Sequence, residues 1–305
     1  MTLPTVLLVA KGLDVGGIER VVVDLARGLA RRGVPVEVAV VNDARDGLRA
    51  LLDDAQIPVR PLGGSDRIGL PAARRLRQLV EGDRYDVVHV HGPLPALVAR
   101  STSRRVVTTA HTMFGALRPV VRAGWRATAG RDAATVAVST LVAASLPRGA
   151  GVRVIPHGVD PRAVAAVRAA RPASAGPSGV LSLVSVASHR PVKNHPSLLR
   201  AVRLAVDAGA SVRLRSVGVG PALEQHRALA RSLGLDEVVS FEPPTPDGLA
   251  VIAGADLLVV SSDVEGQPLV VCEALALGVP VVATAVGRVP DLVSDEVGRV
   301  VAPGD

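Results

Sequence analysis

Short valine-rich runs recur along the whole chain, each followed by a turn and then by an amphipathic stretch. Such runs fall at residues 5–10, 36–41, 86–90, 106–110, 135–139, 180–187, 213–217, 238–241, 256–260 and 280–284. A strand with one face in water alternates apolar and polar residues, whereas several of these runs are apolar throughout. They read as strands buried on both faces. Strands of that kind belong to parallel sheets whose helices cover both sides. Aromatic residues make up only 1% of the chain, so its core must be built from Val, Leu, Ala and Ile. With 305 residues the chain is long enough for two domains of ordinary size.

The composition changes at residues 161–179, PRAVAAVRAARPASAGPSG, which reads as a short helix followed by a linker. The domain boundary is therefore placed near Val159, giving an N-terminal domain over 1–158 and a C-terminal domain over 159–305. A single cysteine, Cys272, excludes an internal disulfide framework and fits a reducing compartment. Apolar runs fall short of the roughly 18 residues of a membrane span. The opening MTLPTVLLVAKG reads as a first strand, not a signal peptide, so a cytoplasmic protein is expected. The net charge of +7 favours anionic partners. Nucleic acid is not expected among them, because single-strand binders stack bases on aromatic side chains. The lysines are Lys11 and Lys193, and both fall in loops after expected strands.

The stretch Ser261 to Gly278, SSDVEGQPLVVCEALALG, carries the most chemistry. It follows the apolar run at 256–260, turns through polar residues, and reaches Pro268 where a first helical position should be. Glu265 thus stands in a loop at the carboxyl end of a strand, where open α/β sheets bind ligands. Glu273 lies about a turn inside the helix among Val271, Cys272, Ala274 and Leu275. A carboxylate in such company needs a partner, and a vicinal diol such as a ribose offers two hydroxyl donors. The spacing alone also fits a solvated Glu265 and a Glu273 paired with an arginine.

EGQPLVVCEALALGVPVVAT resembles the E-x7-E segment of family-4 retaining glycosyltransferases, and the resemblance extends over essentially the whole chain. It implies the GT-B architecture: two Rossmann-like, doubly wound α/β domains facing across a cleft. In that family the first Glu contacts the donor sugar and the second binds the nucleotide ribose, roles that fall on Glu265 and Glu273. Gly266, Gln267, Pro268 and Leu269 join the donor site with them. RPVKNH resembles the family segment whose Arg and Lys grip the donor diphosphate, here Arg190 and Lys193. VIPHGVD resembles the family's V-I-P-N-G-V-D junction, with His157 in the Asn place. AVGRVPDLV stands where the family has Gly-Gly-x-Pro-Glu, so Arg288 replaces a Gly and Asp291 the Glu. The family continues with several helices past the equivalent of 297–305, and the resemblance implies helices outside this sequence.

In the N-terminal half, Gly16 and Gly17 open a helix, an arrangement that lets backbone N–H groups approach a phosphate. A plain turn explains them equally well, and with GGIERVVVDLARGLARRGVPVEVAVV they resemble the family's opening β-α-β unit. His111 ends the strand at 106–110, where the resemblance places a histidine facing the donor sugar. His89 and His91 share a strand face, and with His111 they raise the question of a metal. None is expected, because no Cys or acidic ligand is nearby and the family needs none. Between Val87 and Arg131 there is no acidic residue, while Arg100, Arg104, Arg105, Arg118, Arg122, Arg126 and Arg131 all occur. Arg118, Arg122 and Arg126 lie at helical spacing with Trp125 beside them. They form either a solvated face or a peripheral contact with an anionic membrane, as in some lipid-directed relatives.

The expected function is transfer of a sugar from a UDP- or GDP-linked donor to an acceptor (a glycan, lipid or small molecule) with retention. No cofactor or catalytic metal is expected, because Arg190, Lys193 and helix N-termini can stabilise the departing diphosphate. Two alternatives stay open: an epimerase or inverting transferase using His111 as base, and a non-catalytic protein that binds a nucleotide sugar or a membrane surface.

Overall fold

The computed structural model describes residues 3–65, 68–103, 105–147, 151–170 and 179–305. Arg104 and linker residues 171–178 lie outside the described residues. The chain divides into two compact units, Met1–His157 and Gly158–Asp305.

In chain order, unit 1 contains β1 (Val6–Ala10), α1 (Gly17–Ala30), β2 (Val36–Val40), α2 (Arg49–Asp53), β3 (Val59–Pro61) and α3 (Leu70–Val80). There follow β4 (Val87–Val90), α4 (Pro93–Thr102), β5 (Val106–Ala110), α5 (Pro119–Thr128), β6 (Ala134–Ala137), α6 (Thr140–Ser145) and β7 (Val152–Val154). Its sheet runs β3-β2-β1-β4-β5-β6-β7, and every described pairing is parallel. Strand β1 shows why these runs are apolar throughout. Leu7 and Val9 pack on one face with Leu76, Val80 and Val90, while Val6, Leu8 and Ala10 pack on the other with Val22, Val23 and Leu52. Side chains alternate between two buried faces, so neither can be polar. Helix α1 turns Val22, Val23 and Ala26 to the sheet and holds its outer face with an Arg20–Asp24 pair at 3.0 Å.

Arg100 does not belong to an exposed basic surface. Its side chain is fully buried and paired with Asp132 at 2.6 Å, within reach of Thr108 and Thr128. Its guanidinium carbon stands 4.4 Å from the centre of the Trp125 ring. Asp132, the first acidic residue after the long acid-free stretch, thus serves a charge that could not be left alone in the core. Trp125 is itself buried at 3% exposure and packs edge-on to Phe114, so it gives α5 no aromatic membrane anchor. Arg118, just before that helix, and Arg126 on it are exposed, and Arg122 is half-buried.

Unit 2 contains α7 (Pro161–Ala170), β8 (Leu181–Val186), α8 (His195–Asp207), β9 (Val212–Val217), α9 (Leu223–Ser232) and β10 (Val239–Glu242). It continues with α10 (Gly248–Ala253), β11 (Leu257–Val260), α11 (Leu269–Leu277), β12 (Val281–Thr284), α12 (Val289–Leu292) and β13 (Gly298–Val301). The sheet order is β10-β9-β8-β11-β12-β13, again parallel. In both units the order reverses direction once, beside the first strand, as in doubly wound dinucleotide-binding sheets. The reversal separates β1 from β4 in unit 1 and β8 from β11 in unit 2. Pro268 is the residue before α11, not its first helical position, and Gly278 closes that helix at φ 73°.

Candidate functional site

The loops that leave β8 and β11 meet at the reversal point of unit 2. After β8 the chain runs through His189 and Arg190, makes a tight turn over Pro191–Lys193, and enters α8. Asn194 takes the left-handed conformation (φ 47°) and caps α8, its side-chain oxygen accepting from the Ser197 N–H at 3.3 Å. Its amide also donates to Asp263 Oδ1 at 2.7 Å, and the Asp263 N–H donates to the Val192 carbonyl at 2.9 Å. The Ser261 hydroxyl adds a bond to the Lys193 carbonyl at 2.9 Å. The two loops are thus laced together by backbone and side chain before any ligand arrives.

Lys193 and Glu265 meet at the centre of this lacing, Nζ to Oε1 at 2.5 Å, and Ser262 donates to the same carboxylate oxygen at 2.7 Å. Both charged groups are largely shielded from solvent, with side-chain exposures of 25% and 12%. Arg190 is exposed, and its carbonyl accepts from the Lys193 N–H at 3.0 Å. Gly266, Gln267, Pro268 and Leu269 are buried and carry the chain from Glu265 into α11. Gln267 donates to Cys272 Sγ at 3.2 Å, which ties the loop to the helix. Burial raises the Cys272 thiol's pKa, so this cysteine is a packing residue and not a nucleophile. Glu273 is the fifth residue of α11 and half-buried.

A third loop closes on the second. Gly287 (φ 54°) is placed so that a Cβ would stand 2.5 Å from the carbonyl oxygens of Glu265 and Gly266. Only glycine fits there. Arg288 donates its backbone N–H to the Gly266 carbonyl at 3.1 Å, and its side chain reaches Asp291 at 3.4 Å. The two departures from the family pattern, Arg288 and Asp291, are therefore partners of each other.

Unit 1 carries a different constellation. His89, His91, His111 and His157 form a row: His91 Nδ1 lies 3.1 Å from His111 Nε2, and His111 Nδ1 lies 3.3 Å from His157 Nε2. His89 Nε2 is 2.7 Å from the Thr109 hydroxyl, and its ring centre is 4.3 Å from that of His91. Burial, reinforced by neighbouring imidazoles, lowers the pKa of His111 to about 3, and burial lowers those of His89 and His157 to about 4. All are neutral near pH 7; hydrogen bonds link His91, His111 and His157, while His89 bonds to Thr109. His111, Thr112, Gly92, Pro93 and Ile18 line a small cavity over this row. Gly16 caps α1 and Gly17 opens it, but the Glu19 carboxylate folds back onto Gly16. Its Oε2 stands 2.5 Å from where a Cβ on Gly16 would be. Burial raises the pKa of Glu19, with Asp14 adding to the shift. A larger cavity, bordered by Val159, Pro161, Val164, Arg168 and Ala276, shares no residue with either constellation.

Comparison with known proteins bears on both units. The model for Glycosyltransferase Family 4 matches residues 15–163, and that for glycosyl transferases group 1 matches residues 180–305. A D-inositol 3-phosphate glycosyltransferase of Saccharomonospora viridis is 31% identical across 95% of this chain and 78% of its own length. The chain belongs to glycosyltransferase family 4. A second D-inositol 3-phosphate glycosyltransferase, from Actinosynnema mirum, is 30% identical over 95% of this chain and 81% of its own. Among solved structures, Anabaena HepE in complex with UDP and glucose superposes with a TM-score of 0.82 at 21% identity, covering 99% of this chain and 86% of that one. WaaG, a glycosyltransferase of lipopolysaccharide biosynthesis, gives 0.72 at 18% identity, covering 98% of this chain and 86% of the other. These likenesses show the GT-B fold.

For a family-4 glycosyltransferase, the sequence placed Lys193, Glu265 and the 266–269 loop together, and the structure brings them within one network. It did not find the Asn194–Asp263 bridge, because an asparagine before a helix reads only as a cap. It also missed a buried trio, His189, His195 and His226, whose ring nitrogens lie within 4.8 Å of one another. Their separation in sequence matches no ligand motif; two flank a turn and the third is on the next helix. Among the described residues, no helix is long and apolar enough to cross a membrane.

Proposed function

We propose that this glycosyltransferase moves a hexose from a UDP-linked donor to a hydroxyl acceptor with retention at the anomeric carbon, and that unit 2 holds the donor. The observation that carries the reading is the Lys193–Glu265 pair, seated where the sheet order reverses, with Arg190 in the same turn. As the donor bond breaks, negative charge grows on the departing diphosphate, and Lys193 and Arg190 stabilise it electrostatically. Glu265 exchanges its contact with Lys193 for the sugar hydroxyls, and Glu273 accepts from the ribose diol. His111 keeps the sugar-directed role that family resemblance gives it, acting as a neutral hydrogen-bonding group. Its pKa of about 3 makes it a poor base at neutral pH, which weighs against an inverting or epimerising reaction built on it.

UDP is favoured over GDP because neighbours such as HepE were crystallised with UDP. An inositol phosphate is the first acceptor to try, since relatives bear that activity in their names, and an anionic polyol suits a chain of net charge +7. We place the reaction in the cytoplasm, in keeping with a single cysteine. Any peripheral contact with anionic lipid would rest on the charges of Arg118, Arg122 and Arg126 alone. The test is turnover of UDP-glucose with an acceptor panel, followed by proton NMR of the product. An α-linked product from the α-linked donor supports the reading. A β-linked product, or epimerised donor without transfer, refutes it.

A further inference from the structure

Three histidines that the proposed transfer does not use come together beneath the diphosphate loop. His189 follows β8, His195 is the first residue of α8, and His226 lies on α9. Their relative exposures are 0%, 2% and 4%. The rings of His189 and His195 stack with centres 4.1 Å apart, and the His226 ring is 5.1 Å and 5.0 Å from the two. One ring nitrogen from each residue lies within 4.8 Å of one from each of the others.

The hydrogen bonding of this trio is incomplete. His189 Nδ1 and His226 Nδ1 face each other at 2.8 Å, so one must carry a proton and the other a lone pair. His195 Nε2 is 3.4 Å from the Ser188 carbonyl. His189 Nε2 is buried and has no hydrogen-bond partner. A buried imidazole nitrogen left in that state is costly, and polar groups so placed are ordinarily satisfied.

We propose that His189, His195 and His226 bind a divalent transition-metal ion of the zinc class, with a fourth position open. Three neutral imidazoles form a donor set suited to such an ion and ill suited to magnesium or calcium, which take oxygen ligands. In a tetrahedral site with Zn–N bonds of about 2.0–2.1 Å, ligand nitrogens stand about 3.3 Å apart. Small ring rotations would bring the trio from its present spacing to that one. The His195 Nε2–Ser188 carbonyl contact is the kind of outer partner that orients a ligating histidine. Burial also lowers the pKa of all three rings, to about 4 for His189 and about 3 for His195, so each presents a bare nitrogen at neutral pH. Arg227, next to His226, is paired with Glu224 at 2.9 Å, which offsets its repulsion of a dication.

The backbone around the trio is fixed independently of any ion. The His189 N–H donates to the Val219 carbonyl at 3.0 Å, and its carbonyl accepts from the Ala222 N–H at 3.0 Å. Gly220 packs so closely that a Cβ there would stand 2.4 Å from the His189 carbonyl oxygen. The turn before α9 is therefore pressed onto the residue that opens the β8 loop. An ion held here would clamp α9 to both ends of the segment 190–194, the segment that carries Arg190 and Lys193. On the donor-site reading above, the ion would position the diphosphate grip without touching substrate.

The test is direct zinc binding by the full chain, stripped with chelator and titrated with Zn²⁺ against a chromogenic competitor, with no nucleotide present. Its outcome is therefore independent of the donor reading. One equivalent per chain is expected, weakened roughly a hundredfold by His195→Gln or His226→Gln. His111→Gln, in the rival histidine row of unit 1, should leave the affinity within about twofold, the effect expected of a residue outside the site. Circular dichroism checks that each variant folds. Co²⁺ bound to the wild-type chain provides a readout that needs no variant: intense visible bands of a tetrahedral, nitrogen-ligated site. No stoichiometric zinc uptake, uptake unchanged by both substitutions in folded variants, or only the weak spectrum of octahedral cobalt would overturn the proposal.

Discussion

Lys193 Nζ and Glu265 Oε1 are 2.5 Å apart, although 72 residues separate them in the chain. One stands at the end of the turn after β8 and the other in the loop after β11, and the neighbouring strands place them together. On the proposed donor-site reading, the pair holds a cation for the diphosphate and a carboxylate for the sugar. The two charges should therefore fail differently when removed. Lys193→Met takes away diphosphate stabilisation and should lower both UDP affinity and turnover, the latter by about 10²-fold or more. Glu265→Gln keeps the shape and leaves Lys193 free for phosphate. UDP, which has no sugar, should then bind about as well as before while kcat falls by about 10²-fold. Calorimetry and steady-state rates on the two variants check this. Equal losses of UDP affinity in both would contradict it.

The histidine row of unit 1 gives the fold an acid limit. His89, His111 and His157 have folded-state pKa values of about 4, 3 and 4, against about 6.5 when unfolded. Between those values the unfolded chain binds protons that the folded chain refuses. Stability is thus fully present above pH 6.5 and is lost as pH falls from there toward 4. Each fully shifted imidazole can contribute up to about 1.4 kcal/mol per pH unit, less for the half-buried members. Tm should drop steeply between pH 6.5 and 4.5, and His91→Asn should flatten the drop. A Tm that stays level across that range would contradict the neutral row.

Glu19 occupies the start of α1, where a ligand phosphate would approach Gly16 and Gly17. Its carboxylate competes with such an anion for the same helix N-terminus. Glu19→Gln removes the charge and keeps the shape, so KM for a phosphate-bearing substrate should fall several-fold at unchanged fold stability. A rise in KM would show that Glu19 helps the ligand to bind.

Asp132 neutralises a guanidinium that has no route to water. Asp132→Ala should destabilise unit 1 by about 3–5 kcal/mol, because Arg100 would be left charged and buried. The double variant Arg100→Met/Asp132→Leu should recover most of that loss. Urea denaturation measures both, and a single-variant loss below about 1 kcal/mol would contradict the assignment.

The strands were legible because both of their faces are buried, which makes runs such as VLLVA apolar at every position and separates them clearly from turns. Glu265 and Lys193 were legible because family spacing survives around them. Partnership between distant residues was not. Nothing local says that Arg100 turns inward to Asp132 or that it covers Trp125, so Trp125 was read beside Arg118, Arg122 and Arg126 as part of a helix face. His189, His195 and His226 stayed hidden for the same reason: the turn and the strand order bring them together, and neither leaves a periodic trace. His157, which the family resemblance puts in an asparagine's place, meets His111 only in the fold.

Unit 2 is proposed to hold a nucleoside diphosphate through Glu273 and the Lys193 loop. Calorimetric titration of the folded chain with UDP, GDP and ADP, beside Glu273→Ala, tests it most directly. Preferential UDP binding is expected, weakened at least about tenfold in the variant by loss of charge-assisted bonds to the ribose. Binding of no nucleotide by the folded chain, or UDP binding untouched by Glu273→Ala, would contradict it.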